Sequence, residues 1–510
     1  MNAQHDTAAR KLRLAVRATL MPGFTGFTTP QWVLDLLQDG LLSVCIYGQN
    51  VSDRAQLTEL GQALQRAVPG TLVAIDEEGG EVTRLHYRSG APYPGAAILG
   101  RIDDVAYTEE IGRRVAADIR SAGFALALAP DADVNSTPEN PVIGTRSFGA
   151  TPEGAARHTA AWVRGLQAGG AVACPKHFPG HGDTTQDSHL ALPTVNVDLA
   201  TLRARELPPF RAAIEAGARA IMTSHILLPQ IDPDAPATLS APILQGLLRE
   251  ELGFTGVIVS DALDMAGASG EIGIPEAAVR ALAAGCDLLC LGTATEEAGL
   301  REIEDHVLDA IAAGRLDSAR VNEAAGRVRV LREKPLAEPA VTAAAPAPDT
   351  AEISRVAESF AGLAHARAWL AEYPAARVIR VDAEANMAIG DAPWGPFASG
   401  AAELLPAAAA AFRARGVRAV SGAAAADWLT SDSAGEASSG LIVVGRDMHR
   451  SPAARSGIVA LRAADIPVLT VDMGWPADPG VSPGYADLAS FGSSALAGAA
   501  LLRITEGADA

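Results

Sequence analysis

One lysine, three histidines and two aspartates fall within fourteen residues of the segment 172–193, VACPKHFPGHGDTTQDSHLALP. The segment opens as a short apolar run with the character of a buried parallel strand. A loop follows that holds a fixed cation at Lys176, carboxylates at Asp183 and Asp187, and imidazoles at His177, His181 and His189, which exchange protons near neutral pH. Pro179, Gly180 and Gly182 exclude a continuous helix between His177 and His189, so these side chains converge only through a folded loop. Two chemistries fit the residue types. As a metal site, His177 and His181 stand at the i, i+4 spacing of helical zinc ligands, with Asp183, Asp187 and His189 in reserve, but the intervening Pro-Gly defeats that geometry. As a catalytic loop, Asp187 two residues before His189 can hydrogen-bond the imidazole, set its tautomer and favour its protonated form, making His189 a proton donor. A single Asp-x-His is usually a polar surface turn; here the neighbouring residues change that balance.

The elements that must position this loop run between residues 12 and 331, where short apolar runs alternate with longer amphipathic stretches. Strands are expected at 14–21, 42–47, 71–75, 125–128, 171–174, 220–223, 257–259 and 287–291, with helices between them, among others at 53–68, 104–121, 152–168, 199–216 and 275–284. Eight strands, each followed by a helix, predict an α/β chain built on a (β/α)8 TIM-like barrel, with a doubly wound open sheet as the alternative. The placement of polar residues favours the barrel. Asp76 closes the third strand, Lys176 and His177 follow the fifth, His225 the sixth and Asp261 the seventh, and a barrel gathers those C-terminal strand ends on one face.

Residues 333–350, EKPLAEPAVTAAAPAPDT, are rich in alanine and proline without hydrophobic periodicity and read as a linker. Beyond it, a helix at 352–370, strands at 376–381, 417–420, 441–444 and 468–471, and a final helix at 493–502 predict a smaller parallel α/β domain. The expected division is a catalytic barrel at 1–332, the linker at 333–350 and the second domain at 351–510. Asp447, Met448 and His449 follow a strand in that domain but make no catalytic constellation.

KHFPGHG followed by DSH resembles the signature of glycoside hydrolase family 3, in its β-N-acetylglucosaminidase branch. IDEEGG (75–80), GTRSFG (144–149) and SDALDM (260–265) agree with it in order, so the resemblance spans the first two thirds of the chain. It implies a retaining exo-β-N-acetylglucosaminidase that removes terminal N-acetylglucosamine from glycosides such as cell-wall fragments, by double displacement through an aspartate. By that resemblance Asp261, at the tip of VIVSD, is the nucleophile, with Asp264 three residues on as the competing carboxylate. His189 paired with Asp187 is the acid/base. A histidine titrates near neutrality without the burial that raises a carboxylic acid, so it suits a mobile, solvent-exposed loop. Asp76, Arg146, Lys176 and His177 are implied to hold the sugar, with Glu77 and Glu78 as weaker alternatives to Asp76 and an ion pair to Asp131 or Asp133 as the structural alternative for Arg146. His181 and Asp183 are left to shape the loop. No metal and no organic cofactor are implied.

Two other functions compete. A β-N-acetylglucosaminide phosphorylase could use the same dyad, because a neutral imidazole does not repel a phosphate dianion, whereas like charges about 4 Å apart at an effective dielectric near 20 cost about 4 kcal/mol. A non-catalytic sugar-binding protein is the second, and the joint presence of Asp261, Asp187 and His189 argues against it.

The composition sets outer bounds. A chain of 510 residues, 48% apolar and 20% charged, has ample core and the length of two domains. A net charge of -19 argues against nucleic acid or an anionic membrane as partner and fits a neutral saccharide. The N-terminal apolar run carries scattered basic residues, so no signal peptide is expected, and no uninterrupted apolar run reaches the roughly 18 residues of a membrane span. Cys45, Cys174, Cys286 and Cys290 form no CxxC pair, which predicts reduced thiols and a cytoplasmic setting. Oligomeric state has no signature in the sequence.

Overall fold

The computed structural model describes residues 2–184, 192–270, 272–333, 345–382, 388–421, 439–477 and 484–506. The chain forms two compact units, one of Met1–Glu78, Val105–Ile143 and Gly149–Ala345, the other of Gly79–Asp104, Gly144–Phe148 and Pro346–Ala510. Two stretches early in the sequence therefore belong with the C-terminal part. Most of the expected linker, residues 334–344, lies outside the described residues.

In the first unit the strands are β1 (Leu20–Met21), β2 (Ser43–Ile46), β3 (Leu72–Ile75), β4 (Leu126–Ala127), β5 (Val172–Ala173), β6 (Ala220–Met222), β7 (Val257–Val259) and β8 (Leu289–Cys290). β2, β3, β4 and β5 pair in sequence order, β6 pairs with β7, and β8 returns to β1, every pair parallel. The remaining seams are closed by backbone bonds at the strand ends, among them those from Cys45, Phe178 and Ser260. Cys45 donates its amide to Pro22 O at 2.9 Å, Phe178 to Met222 O at 2.8 Å and Ser260 to Leu288 O at 2.9 Å. The circuit of eight parallel strands is a (β/α)8 barrel, as the alternation of the sequence predicts. Its inward and outward faces are both covered, so the strands are buried throughout.

The first expected strand, 14–21, is mostly helix: Asn2–Ala18 is α-helical and only Leu20–Met21 extends into the barrel. The apolar run has helical spacing, with Ala15, Val16 and Ala18 buried, while Arg13 and Arg17, one turn apart, reach the buried Glu304 at 3.4 and 2.5 Å. The expected helix at 199–216 is three consecutive pieces, the middle one, Leu202–Glu206, wound as a π-helix. Pro208 and Pro209 follow it and lack the amides that would bond the carbonyls four residues back.

The second unit holds a five-stranded parallel sheet in the order β10-β9-β11-β12-β13, with β9 at Arg377–Asp382, β10 at Val417–Ser421, β11 at Leu441–Gly445, β12 at Val468–Asp472 and β13 at Leu488–Ala489. This is the smaller parallel α/β domain expected, with β13 added. The helix expected at 352–370 is split into Thr350–Glu358 and Leu363–Glu372, because Gly362 at φ 80° leaves the helical region and Ala361 pairs with Ala489 of β13.

All four cysteines are buried free thiols. Burial pushes the thiols of Cys174 and Cys286 well above their ordinary range. No described helix is long and apolar enough to cross a membrane.

Candidate active site

β5 does not stop at Ala173 in effect. Lys176 donates its amide to Pro130 O at 3.0 Å and accepts from Ala132 at 2.6 Å, so the chain after β5 stays zipped to the chain after β4 until the catalytic-type residues begin. That zipper aims Lys176 across the barrel mouth towards the end of β3. Its Nζ lies 2.8 Å from Asp76 Oδ1 and 2.9 Å from Glu78 Oε1, with Lys176 and Glu78 both buried and Asp76 partly exposed. Charge-assisted bonds to two carboxylates pin an otherwise flexible four-carbon stem. Asp76 and Lys176 thus come together as the pattern implied, and Glu78 joins them.

His177 is buried beside Asp133: Nδ1 to Oδ2 is 2.7 Å, and the His177 amide approaches both oxygens at 3.3 Å. The amide of His181 donates to Asp133 Oδ1 at 2.7 Å. Burial works against ionisation of Asp133, but the charge and hydrogen bond of His177 outweigh it and hold the carboxyl below its ordinary range. One carboxylate after β4 therefore anchors two turns of the loop after β5. Asp131, Asp133 and His177 bring candidate metal-ligand atoms within 4.8 Å of one another, a grouping other than the His177–His181 spacing of the sequence. The 2.7 Å contact between His177 and Asp133 is, however, the length of a hydrogen bond between them, which a cation would have to displace.

His181 lies edge-on to His177, with ring centroids 5.9 Å apart, and its Nδ1 is 2.8 Å from Thr184 Oγ1. Burial, reinforced by the charge of His177, lowers its pKa to about 4, so it is neutral at physiological pH. Asp183 is ion-paired to Arg205 at 2.6 Å. Asn140 joins the loops after β4 and β5. Its amide donates to His181 O at 2.9 Å and Gly182 O at 3.0 Å, while its carbonyl accepts from Val142 and Ile143, both at 2.9 Å. The close seam explains the glycine at 182, where a Cβ would lie 1.7 Å from Val134 O.

At the end of β7, Asp261 Oδ1 accepts the amide of Ala262 at 2.8 Å, and the Asp261 amide points to Thr223 Oγ1 at 3.3 Å. Asp264 does something else. Its Oδ2 accepts the amide of Thr293 at 2.9 Å, over Gly292, where a Cβ would collide with the carboxylate, so it braces the loop after β8. Arg146 is buried in the single turn Gly144–Arg146, within a segment of the second unit. Asp187 and His189 lie outside the described residues.

Asp133 and Asn140 are organising residues whose roles the sequence did not disclose. Their signal was present only as polar residues after the fourth strand, APDADVNSTPEN, without a motif linking them to the histidines 40 to 50 positions later.

The sequence profile of the Glycosyl hydrolase family 3 N terminal domain matches residues 28–331. The chain belongs to glycosyl hydrolase family 3, the family that KHFPGHG resembles. A beta-hexosaminidase of Stenotrophomonas maltophilia (strain R551-3) is 37% identical over 288 residues, covering 55% of this chain and 85% of that protein. Beta-hexosaminidase A of Pseudoalteromonas piscicida is 33% identical over 315 residues, 57% of this chain and 52% of the relative, so the chain spans about half the length of that protein. Among solved structures, a family 3 beta-N-acetylglucosaminidase from Paenibacillus sp. str. FPU-7 superposes with a TM-score of 0.79 at 28% identity, over 97% of this chain and 96% of that one.

Proposed function

We propose that this chain is a retaining exo-β-N-acetylglucosaminidase, acting on saccharides that end in N-acetylglucosamine, such as cell-wall fragments. The observation that carries the reading is the arrangement at one end of a parallel barrel: a carboxylate at the tip of β7, Asp261, on the same face as the Asp76–Lys176–Glu78 and His177–Asp133 clusters after β3 and β5. The names of the Stenotrophomonas and Paenibacillus relatives support the sugar specificity. In this reading Asp261 attacks the anomeric carbon, and the glycosyl-enzyme is then released by water. Asp76, Lys176 and His177 hold the sugar hydroxyls. His189, oriented by Asp187, protonates the departing oxygen and later deprotonates the water. The barrel carries the chemistry, and Gly79–Asp104, Gly144–Phe148 and Pro346–Ala510 make up the second unit. Four buried free thiols support a cytoplasmic setting.

The test is turnover of a chromogenic β-N-acetylglucosaminide, combined with a mechanism-based fluoro-sugar label mapped by mass spectrometry. Turnover with the label on Asp261 is expected. Binding of N-acetylglucosamine without turnover would leave a sugar-binding protein, and a label on another carboxylate would move the nucleophile. Product analysis in millimolar phosphate distinguishes free N-acetylglucosamine, the expected product, from a sugar 1-phosphate. His189→Ala should spare dinitrophenyl substrates, whose leaving group departs without a proton, and lose substrates with poor leaving groups.

A further inference from the structure

We propose that His225, at the end of β6, is a positioning residue that sets the carboxylate of Asp261 through a closed circuit of hydrogen bonds. The inference rests on Asp261 being the nucleophile. His225 is fully buried, as are Thr223 and Thr238, so none of the three is placed there by solvent. His225 Nε2 lies 3.0 Å from the carbonyl oxygen of Ala262, and Nδ1 lies 2.9 Å from Thr238 Oγ1. Thr238 Oγ1 is 2.7 Å from Thr223 Oγ1, which in turn is 3.3 Å from the amide of Asp261. The circuit closes where the amide of Ala262 donates to Asp261 Oδ1 at 2.8 Å.

One consistent set of directions exists with the imidazole neutral. A carbonyl only accepts, so Nε2 carries the proton and donates to Ala262 O. The neutral tautomer then offers Nδ1 as an acceptor, which takes the hydroxyl proton of Thr238. Thr238 Oγ1 accepts from Thr223, and Thr223 Oγ1 accepts from the amide of Asp261. Ser224 O, also within 2.9 Å of the Thr238 hydroxyl, is independently served by the Thr238 amide at 3.1 Å. Every group in the circuit is satisfied with the imidazole uncharged.

The consequence is that Ala262 is held at both its amide and its carbonyl. Its amide holds one oxygen of Asp261, leaving the direction of the other oxygen determined by the backbone. Loss of the His225 bond leaves the Ala262 carbonyl to the amide of Met265 alone, at 3.1 Å, and lets the carboxylate rotate away from its line of attack. A misplacement of about 1 Å in a reacting group costs on the order of 100-fold in rate.

His225→Leu keeps the volume and removes the donor, while His225→Gln returns an amide donor near the position of Nε2. With a dinitrophenyl N-acetylglucosaminide, which reports attack by the nucleophile without a proton transfer, kcat/KM of the leucine variant should fall about 10- to 100-fold through kcat. Inhibition by N-acetylglucosamine should keep its wild-type constant, and the glutamine variant should recover most of the loss. Wild-type kcat/KM in the leucine variant, or loss of N-acetylglucosamine binding in step with turnover, overturns the proposal. If the leucine variant does not fold, glutamine against asparagine decides, since asparagine reaches Thr238 but stops short of Ala262; equal turnover in the two overturns it. Asp261→Asn is the control on the underlying reading: retained turnover there removes the nucleophile assignment, whereas an inactive Asp261→Asn beside an unimpaired His225→Leu removes only the role of His225.

Discussion

Asp133 holds His177 through a 2.7 Å bond from Nδ1 to Oδ2 and, with its other oxygen, takes the amide of His181 at the same distance. The carboxylate thus fixes the side chain of His177 and the backbone four residues further on. Asp133→Ala leaves a buried imidazole and two amides without their acceptor and should cost about 3 to 5 kcal/mol. Urea denaturation checks this. Because its folded pKa is depressed, the contribution of Asp133 is present above the ordinary carboxylate range and is lost as pH falls through the folded value. The stability gap between wild type and variant should therefore narrow only in acid.

Lys176 sits between two carboxylates, so its removal would do more than delete the sugar contact proposed for it. Lys176→Met removes the cation that bridges Asp76 and Glu78, and should destabilise by about 3 kcal/mol while raising KM. A thermal melt and a KM measurement on the same preparation test both halves. A variant that loses affinity with an unchanged melting temperature would show that the cluster is not held together by the lysine.

Asp261 and Asp264, three residues apart, should separate cleanly. Asp261→Ala should lower kcat about 10⁴-fold or more while the melting temperature is kept, as expected for removal of a group that acts in the transition state. Asp264→Ala should cost about 1 to 3 kcal/mol of stability, the penalty for orphaning the Thr293 amide that it caps, with turnover of the folded fraction retained. Reversal of these two phenotypes would exchange the roles.

Glu206 lies beneath the loop after β5, where a Cβ on Gly180 would lie 2.7 Å from its own Cβ. Arg205 pairs with one oxygen, and the other finds no hydrogen-bond partner among the described residues. Burial raises its pKa to about 7. An acid with a raised folded pKa stabilises fully below its unfolded value and progressively less as pH rises to the folded one, so this contribution disappears between about pH 4.5 and 7. Relative to Glu206→Gln, wild type should lose on the order of 2 to 3 kcal/mol between pH 5 and 8. Parallel stability curves for the two proteins would show that Glu206 stays ionised in the fold.

The loop after β5 stood out as a candidate because its ionisable residues are concentrated in consecutive positions, and the barrel was legible because eight apolar runs recur at helical separations. What joins those elements was not. Asp133 and His177 are 44 positions apart, and Thr238 and Asp261 are 23 apart, with no spacing rule to connect them before the strands are laid side by side. Local ambiguity caused the other misses. LRLAVRA satisfies both a strand and a helix pattern until Arg13 and Arg17 meet Glu304, and β13, two residues long, is too short to carry a period. The assignment of Gly79–Asp104 and Gly144–Phe148 to the second unit depends on contacts with residues more than 200 positions away, which linear order conceals.

The four buried free thiols make the protein its own reporter of opening. A buried thiol cannot react with an alkylating reagent until the element around it parts from its neighbours. Cys45 and Cys174 lie at β2 and just after β5, Cys290 in β8, and Cys286 just before it, so isotope-coded labelling read peptide by peptide would time the separation of different staves of one barrel. Simultaneous labelling at all four would mean that the barrel opens as a single cooperative body. Earlier labelling at one seam would locate where the closed circuit of strands first breaks.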